Sequence, residues 1–200
     1  MDLPTELNHK ILLKLPITEL ENICLSSTKG VSFCSDARFW EERFRKEDLP
    51  LPKVIPAVLP SWITEYKLTR IAQLREEYYM DSLLRNYIIL LDLTKVNDVS
   101  ILPDFLDKQE FAKIRTRRVL QKNISARPRK MLLLYRQGNI ILDVGEGLQI
   151  PLTKEQAHLL LFIFCYYDLD PLTDRETKTY RVPRSQLEEL GLVKPVEQWI

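Results

Sequence analysis

The side chains best suited to chemistry are few and far apart in this sequence. His9 and His158 are the only histidines, and no Cys-x-x-Cys occurs, so neither a structural zinc site nor a histidine-based triad assembles at its usual spacing. Asp168, Asp170 and Asp174 cluster in a polar stretch without the glycine and terminal acid of a calcium-binding loop, and read as solvated turn residues. Gly145-Glu146-Gly147 lacks the third glycine and the following helix of a dinucleotide site, and a hairpin turn explains it better. No metal and no cofactor is therefore expected, and the chain reads as non-catalytic. Cys24, Cys34 and Cys165 are odd in number and sit in apolar runs, which predicts three reduced, buried thiols in a cytoplasmic or nuclear protein.

Charge leaves one feature to explain. Lysine plus arginine number 29 against 28 acidic residues, so no global field draws in nucleic acid or an anionic membrane. Locally, Lys113, Arg115, Arg117, Arg118, Lys122, Arg127, Arg129 and Lys130 form a run with no intervening acid that could grip phosphates. Aromatic residues do not interleave with it, which argues against stacking on single strands. A solvated helix face or a docking patch for an acidic partner is the reading adopted, with nucleic-acid binding as the alternative. The densest apolar run, Leu159–Tyr167, is about half the length needed to cross a bilayer, and Asp2 stands where a secretory signal would be basic. A membrane partner and an export signal are not expected.

The elements that must position these residues follow from periodicity and punctuation. Leu3, Leu7, Ile11 and Leu15 keep one helical stripe from Pro4 until Pro16 ends it, with Leu12 beside the stripe and Leu13 pointing away. Thr18 and Glu21 stand in capping-box relation before a helix carrying Leu20, Ile23 and Cys24. A short helix is expected at Thr28–Cys34, and Ser35 or Asp36 can cap a fourth with Phe39, Trp40 and Phe44 on one side. Pro50, Pro52, Pro56 and Pro60 then punctuate an extended connector. A helix begins at Ser61 with Trp62, Tyr66 and Ile71, and Glu76–Leu93 has the pattern of a long buried helix. Phe105–Ile124 is expected to be helical. Met131–Tyr135 and Ile140–Val144 flank Gln137-Gly138-Asn139 as a hairpin, with a third strand at Leu148–Leu152. Thr153 and Gln156 offer a capping box for the helix reaching Tyr167, and a short strand near Tyr180 precedes a last helix ended by Gly191.

These elements describe an α+β, mostly helical protein: a helical module at 1–48, a proline-rich linker at 49–60, and a C-terminal α+β domain at 61–200 with a small antiparallel hairpin or three-stranded sheet. The first helix carries more leucines than one buried face can use. A module of about 45 residues is near the lower size for a self-sufficient core, so surplus leucines are expected to meet another surface.

The same register, without a gap, resembles the F-box family: Leu3-Pro4, Glu6-Leu7, Ile11-Leu12, Leu15, Glu19-Leu20, Leu25, Ser27 and Phe39-Trp40 stand where that family places its motif residues. Gly30 departs from it, occupying a position where F-boxes commonly have tryptophan. In this the module is similar to the divergent F-box-like modules of large DNA viruses. The resemblance implies an adaptor that docks on the Skp subunit of a cullin-based ubiquitin ligase through Leu3, Pro4, Leu7, Ile11, Leu12, Leu15, Leu20, Phe39 and Trp40. Its C-terminal domain would hold a target protein whose identity the sequence does not give. Under the viral likeness, a scaffold or virion protein that reuses the fold is the alternative.

Overall fold

Proline and glycine set many of the element boundaries in the computed structural model, which describes residues 5–86, 88–120, 130–145, 147–169, 171–173 and 180–193. Four short helices open the chain: α1 (Thr5–Leu12), α2 (Ile17–Leu25), α3 (Thr28–Cys34) and α4 (Ala37–Lys46). A long helix, α5 (Leu59–Asn86), follows the proline-rich stretch and leads into β1 (Ile88–Asp92). Next come α6 (Lys108–Leu120), β2 (Lys130–Arg136), β3 (Asn139–Gly145), β4 (Leu148–Leu152), α7 (Lys154–Tyr166), β5 (Leu172–Thr173) and α8 (Arg184–Glu189). The mixture of helix and antiparallel sheet is the expected α+β class.

The chain divides into two compact units. One comprises the residues up to Ile71 together with the segment from Val182, and the other runs from Ala72 to Arg181. The boundary expected at 49–60 thus lies inside the first unit, because Leu49, Leu59, Trp62 and Tyr66 are all buried. The indoles of Trp40 and Trp62 lie parallel, 5.9 Å between centroids, and Phe44 meets both Trp62 and Tyr66 edge-on. Offset and edge-on aromatic contacts of this kind bury large areas around one centre.

Arg43 ties the first unit together. It is only 3% exposed, and its guanidinium donates to the carbonyls of Leu12 (3.3 Å) and Leu15 (2.8 Å), while Lys46 Nζ reaches the carbonyl of Leu13 at 3.1 Å. Carbonyls at a helix C-terminus lack intrahelical donors and carry the negative end of the dipole, so two cations from α4 cap α1 where it stops. Arg43 also lies 4.7 Å from the centre of the Tyr66 ring and 3.5 Å from Glu47. Burial pushes the Tyr66 hydroxyl up to about 12, and it donates a hydrogen bond to Glu47.

The ending of α1 also corrects the leucine assignment. After Leu12 the chain tightens, with the amides of Lys14 and Leu15 donating to Ile11 and Leu12, so extrapolating 100° per residue past that point fails. Leu13, expected to point outward, is buried, whereas Ile11 is exposed. The capping box expected at Thr18 and Glu21 is likewise absent. Pro16 occupies the cap position without a side-chain bond; the Thr18 amide donates instead to the carbonyl of Gly191 at 3.1 Å, and Glu21 pairs with Lys67 at 2.7 Å. Gly191 has φ +63°, and a Cβ there would stand 2.6 Å from Pro16 Cβ. With Leu192 buried beside it, the segment after Val182 completes the N-terminal unit rather than the C-terminal domain.

Cys24 and Cys34 form a disulfide, Cα–Cα 5.8 Å, and only Cys165 is a free thiol. This corrects the expectation of three reduced thiols: a spacing of ten residues carries no geometric signal until α2 and α3 pack side by side. Gly30 permits that packing, since a Cβ would lie 2.7 Å from the carbonyl oxygen of Ile23. No tryptophan could occupy this position in the present geometry.

The second unit is built on a sheet of order β4-β3-β2-β1-β5, antiparallel throughout. The β2–β3 hairpin turns on Gln137 and Gly138 at φ +51° and +84°, the geometry of a two-residue turn whose twist matches its strands. Ile89, Leu91, Met131, Leu133, Leu142 and Val144 form its buried face against Tyr79, Leu83, Phe111, Leu160 and Phe164 of the helices. The expected helix at Glu76–Leu93 holds only to Asn86, because Ile88–Asp92 pairs with β2 along its whole length. β-branched Ile88-Ile89 suits either period, and the sheet decides. The expected capping box at Thr153 and Gln156 is present in full. No strand forms at Tyr180; its ring stacks on Tyr78 at 3.7 Å and its amide donates to the Tyr79 hydroxyl.

Replacing Arg43 by alanine should lower the stability of the chain by about 3 kcal/mol, since it uncaps α1 and strips charge-assisted bonds from a buried site. Arg43→Lys should recover only a minor part, having no planar fork to span two carbonyls. Urea denaturation followed by tryptophan fluorescence measures both. A loss below about 0.5 kcal/mol for Arg43→Ala would place Arg43 among ordinary surface substitutions.

Candidate partner-docking surface

The residues expected to contact a partner fall into distinct environments. Leu20, Phe39 and Trp40 are sealed in the core of the first unit, and the Trp40 indole donates to the carbonyl of Cys34 at 2.7 Å. They cannot serve as exposed anchors, a correction with a plain cause: a unit built of helices this short draws its interior from its largest rings and a few aliphatic residues. Leu12 and Leu15 are half-buried and Ile11 is 43% exposed. Leu7 lies on α1, while Leu3 and Pro4 lie outside the described residues.

Apolar surface emerges elsewhere on the same helices. Ile23 and Leu25 on α2 are 44% and 53% exposed, and Val31 on α3 is 40% exposed. The sequence puts Leu20, Ile23 and Cys24 on one helix, and Leu20 and Cys24, four residues apart, share the buried side without Ile23. The signal that could have separated them is the excess of aliphatic residues over what a nine-residue helix can bury. His9 anchors the region, its ring edge-on to Phe33 and Phe39 and its Nε2 2.7 Å from Glu42. A cleft of about 410 Å³ in this unit is lined by Leu13, Leu15, Pro16, Arg43, Lys46, Tyr66 and Leu192 among others. Arg43 and Lys46 are spent there on the carbonyls at the end of α1.

The basic run is divided between elements. Lys113, Arg115, Arg117 and Arg118 fall on α6, and Lys130 opens β2 opposite Asp92. Lys113 is exposed, 3.8 Å from Glu110. Lys122, Arg127 and Arg129 lie outside the described residues.

A charge cluster among the described residues of the second unit had no sequence signature, because its members are up to about a hundred residues apart. Arg75, almost wholly buried, donates from Nη1 to the carbonyl of Cys165 (3.1 Å) and to Asp168 (2.8 Å), and Arg181 donates to the same carboxylate at 2.6 Å. Partial burial opposes ionisation of Asp168, but the bonds from Arg181 and Arg75 prevail and hold its carboxyl below the usual range. Next to it in sequence from Arg75, Glu76 is buried and raised by desolvation, with His158 Nδ1 at 2.6 Å favouring its charged form. Burial pushes the Cys165 thiol up to about 12, which keeps it protonated and unreactive at neutral pH. Asp170 and Asp174 lie outside the described residues. The described residues bring together no group of three or more potential metal ligands, and no helix among them is long and apolar enough to cross a membrane.

The chain matches no family model, no curated protein and no solved structure.

The Asp168 cluster has a definite pH signature. A carboxyl depressed in the folded state contributes stability above its unfolded pKa of about 3.9 and loses it as pH falls through the lower folded value. Asp168→Asn should therefore lower stability at pH 7 and flatten its fall below about pH 4. Parallel acid and neutral denaturation of both chains checks this; identical acid profiles would mean that the guanidinium contacts of Asp168 contribute nothing.

Proposed function

We propose that this protein is a non-catalytic adaptor whose N-terminal helical unit docks on the Skp subunit of a cullin-based ubiquitin ligase, with its other unit available to a target protein. The observation that carries the reading is that Ile11, Ile23, Leu25 and Val31 stand exposed on three successive helices, while Ile17, Leu20, Cys24 and Cys34 of α2 and α3 are enclosed. Aliphatic side chains left at the surface of such short helices are apolar anchors of the kind that dominate protein–protein affinity. The gapless likeness of residues 3–40 to the F-box motif supplies the identity of the partner. Leu20, Phe39 and Trp40 then act from beneath, fixing the helices that present the exposed anchors.

Such an adaptor accelerates transfer by proximity. Holding a target beside a transfer enzyme raises its effective concentration without a reacting side chain on the adaptor. Catalytic groups belong to the partner enzymes in this reading, and the buried, protonated Cys165 takes no part.

Ile11→Asp and Leu25→Asp should each abolish co-purification with the Skp adaptor while leaving urea stability within about 0.5 kcal/mol of the parent, since both side chains already meet water. Retained co-purification by both variants would defeat the reading. Self-assembly of the parent chain in light scattering, together with indifference to the adaptor, would favour a scaffold instead.

A further inference from the structure

Among the seven residues of α3, Cys34 alone is fully buried. Thr28, Lys29, Val31 and Ser32 are exposed, and Phe33 is half-buried against His9 and Phe39. The helix is well below the length at which helices persist unaided, and it contains Gly30 and the β-branched Val31. What fastens it is therefore specific: the bond from Cys34 to Cys24 on α2, the Ser27 cap on the Gly30 amide at 3.0 Å, and the Trp40 indole on the Cys34 carbonyl. The cap and the indole bond hold its two ends. The disulfide alone joins its buried side covalently to α2.

We propose that the Cys24–Cys34 disulfide is a redox latch that holds α3 against α2 and so governs whether Ile23, Leu25 and Val31 are presented together. Opening the latch takes two electrons and two protons from a dithiol reductant. A reductant thiolate attacks one cysteine sulfur, the other cysteine leaves as a thiolate and is protonated, and the second reductant thiol resolves the mixed disulfide, releasing two cysteine thiols and an oxidised dithiol. Both sulfurs are buried, so exchange follows local opening of α3 rather than direct attack on the closed form. The stacked Trp40 and Trp62 meet the latch through the bond from the Trp40 indole to the Cys34 carbonyl, and the latch keeps that bond in both states. The consequence for docking rests on the adaptor reading; the latch itself does not.

The test uses the full chain, oxidised and after treatment with dithiothreitol, with alkylation and mass measurement confirming the state of Cys24 and Cys34. Amide hydrogen exchange over residues 28–35 should quicken about tenfold or more on reduction, while tryptophan fluorescence stays constant. Cys34→Ser should exchange like the reduced chain whether or not the reductant is present. Unchanged exchange over 28–35 would overturn the latch, as would a fluorescence change reporting collapse of the whole unit. Binding to purified Skp adaptor should weaken about tenfold on reduction; equal affinity of both forms would remove control of docking. Failure of both forms to bind would instead remove the adaptor reading, and the exchange data would then decide the latch separately.

Discussion

A buried guanidinium at the end of a two-turn helix is the constraint around which the N-terminal unit is organised. α1 is too short to stabilise itself, and the carbonyls at its C-terminal end lack intrahelical donors. Arg43 resolves both difficulties at once by bonding to Leu12 and Leu15 while its plane lies near the Tyr66 ring. Placing a cation there carries a desolvation cost, and Arg43 Nε makes no hydrogen bond. The neighbouring Glu47 and the aromatic face offset that cost. The position of α1, and with it the exposure of Ile11, depends on this arrangement.

Close helix approach is the second theme of the same unit. Gly30 lets α3 lie against the carbonyls of Ile23 and Cys24, and the disulfide then spans a gap that a larger residue would have widened. The two features presuppose each other. A glycine where a larger side chain would clash thereby becomes intelligible as part of a closely fastened helix pair.

Much of the architecture was legible because local signals agreed with the fold. The Gln137-Gly138 turn, the flanking apolar strands and the Thr153–Gln156 box each specify one geometry, and each forms as the sequence suggests. Legibility ended where distant residues decided the outcome. Thr18 and Glu21 had the right spacing for a box, yet Gly191 and Lys67 offered better partners. Ile88–Asp92 fitted a helix until β2 provided a ladder. Of the residues expected at the interface, Leu20, Phe39 and Trp40 are enclosed, since they are the residues a small core can least spare. The Arg75–Asp168–Arg181 cluster joins separate stretches of the chain and left no local trace.

The carbonyl of Gly191 on the Thr18 amide has a bearing on how the molecule is made. Synthesis proceeds from the amino end, yet the start of α2 receives its terminal partner from a residue made more than a hundred and seventy positions later. The unit from Ala72 to Arg181 is contiguous and can assemble while the ribosome is still adding the rest. The helices born first thus reach their final packing last, and until then their aliphatic side chains are the ones a chaperone would meet.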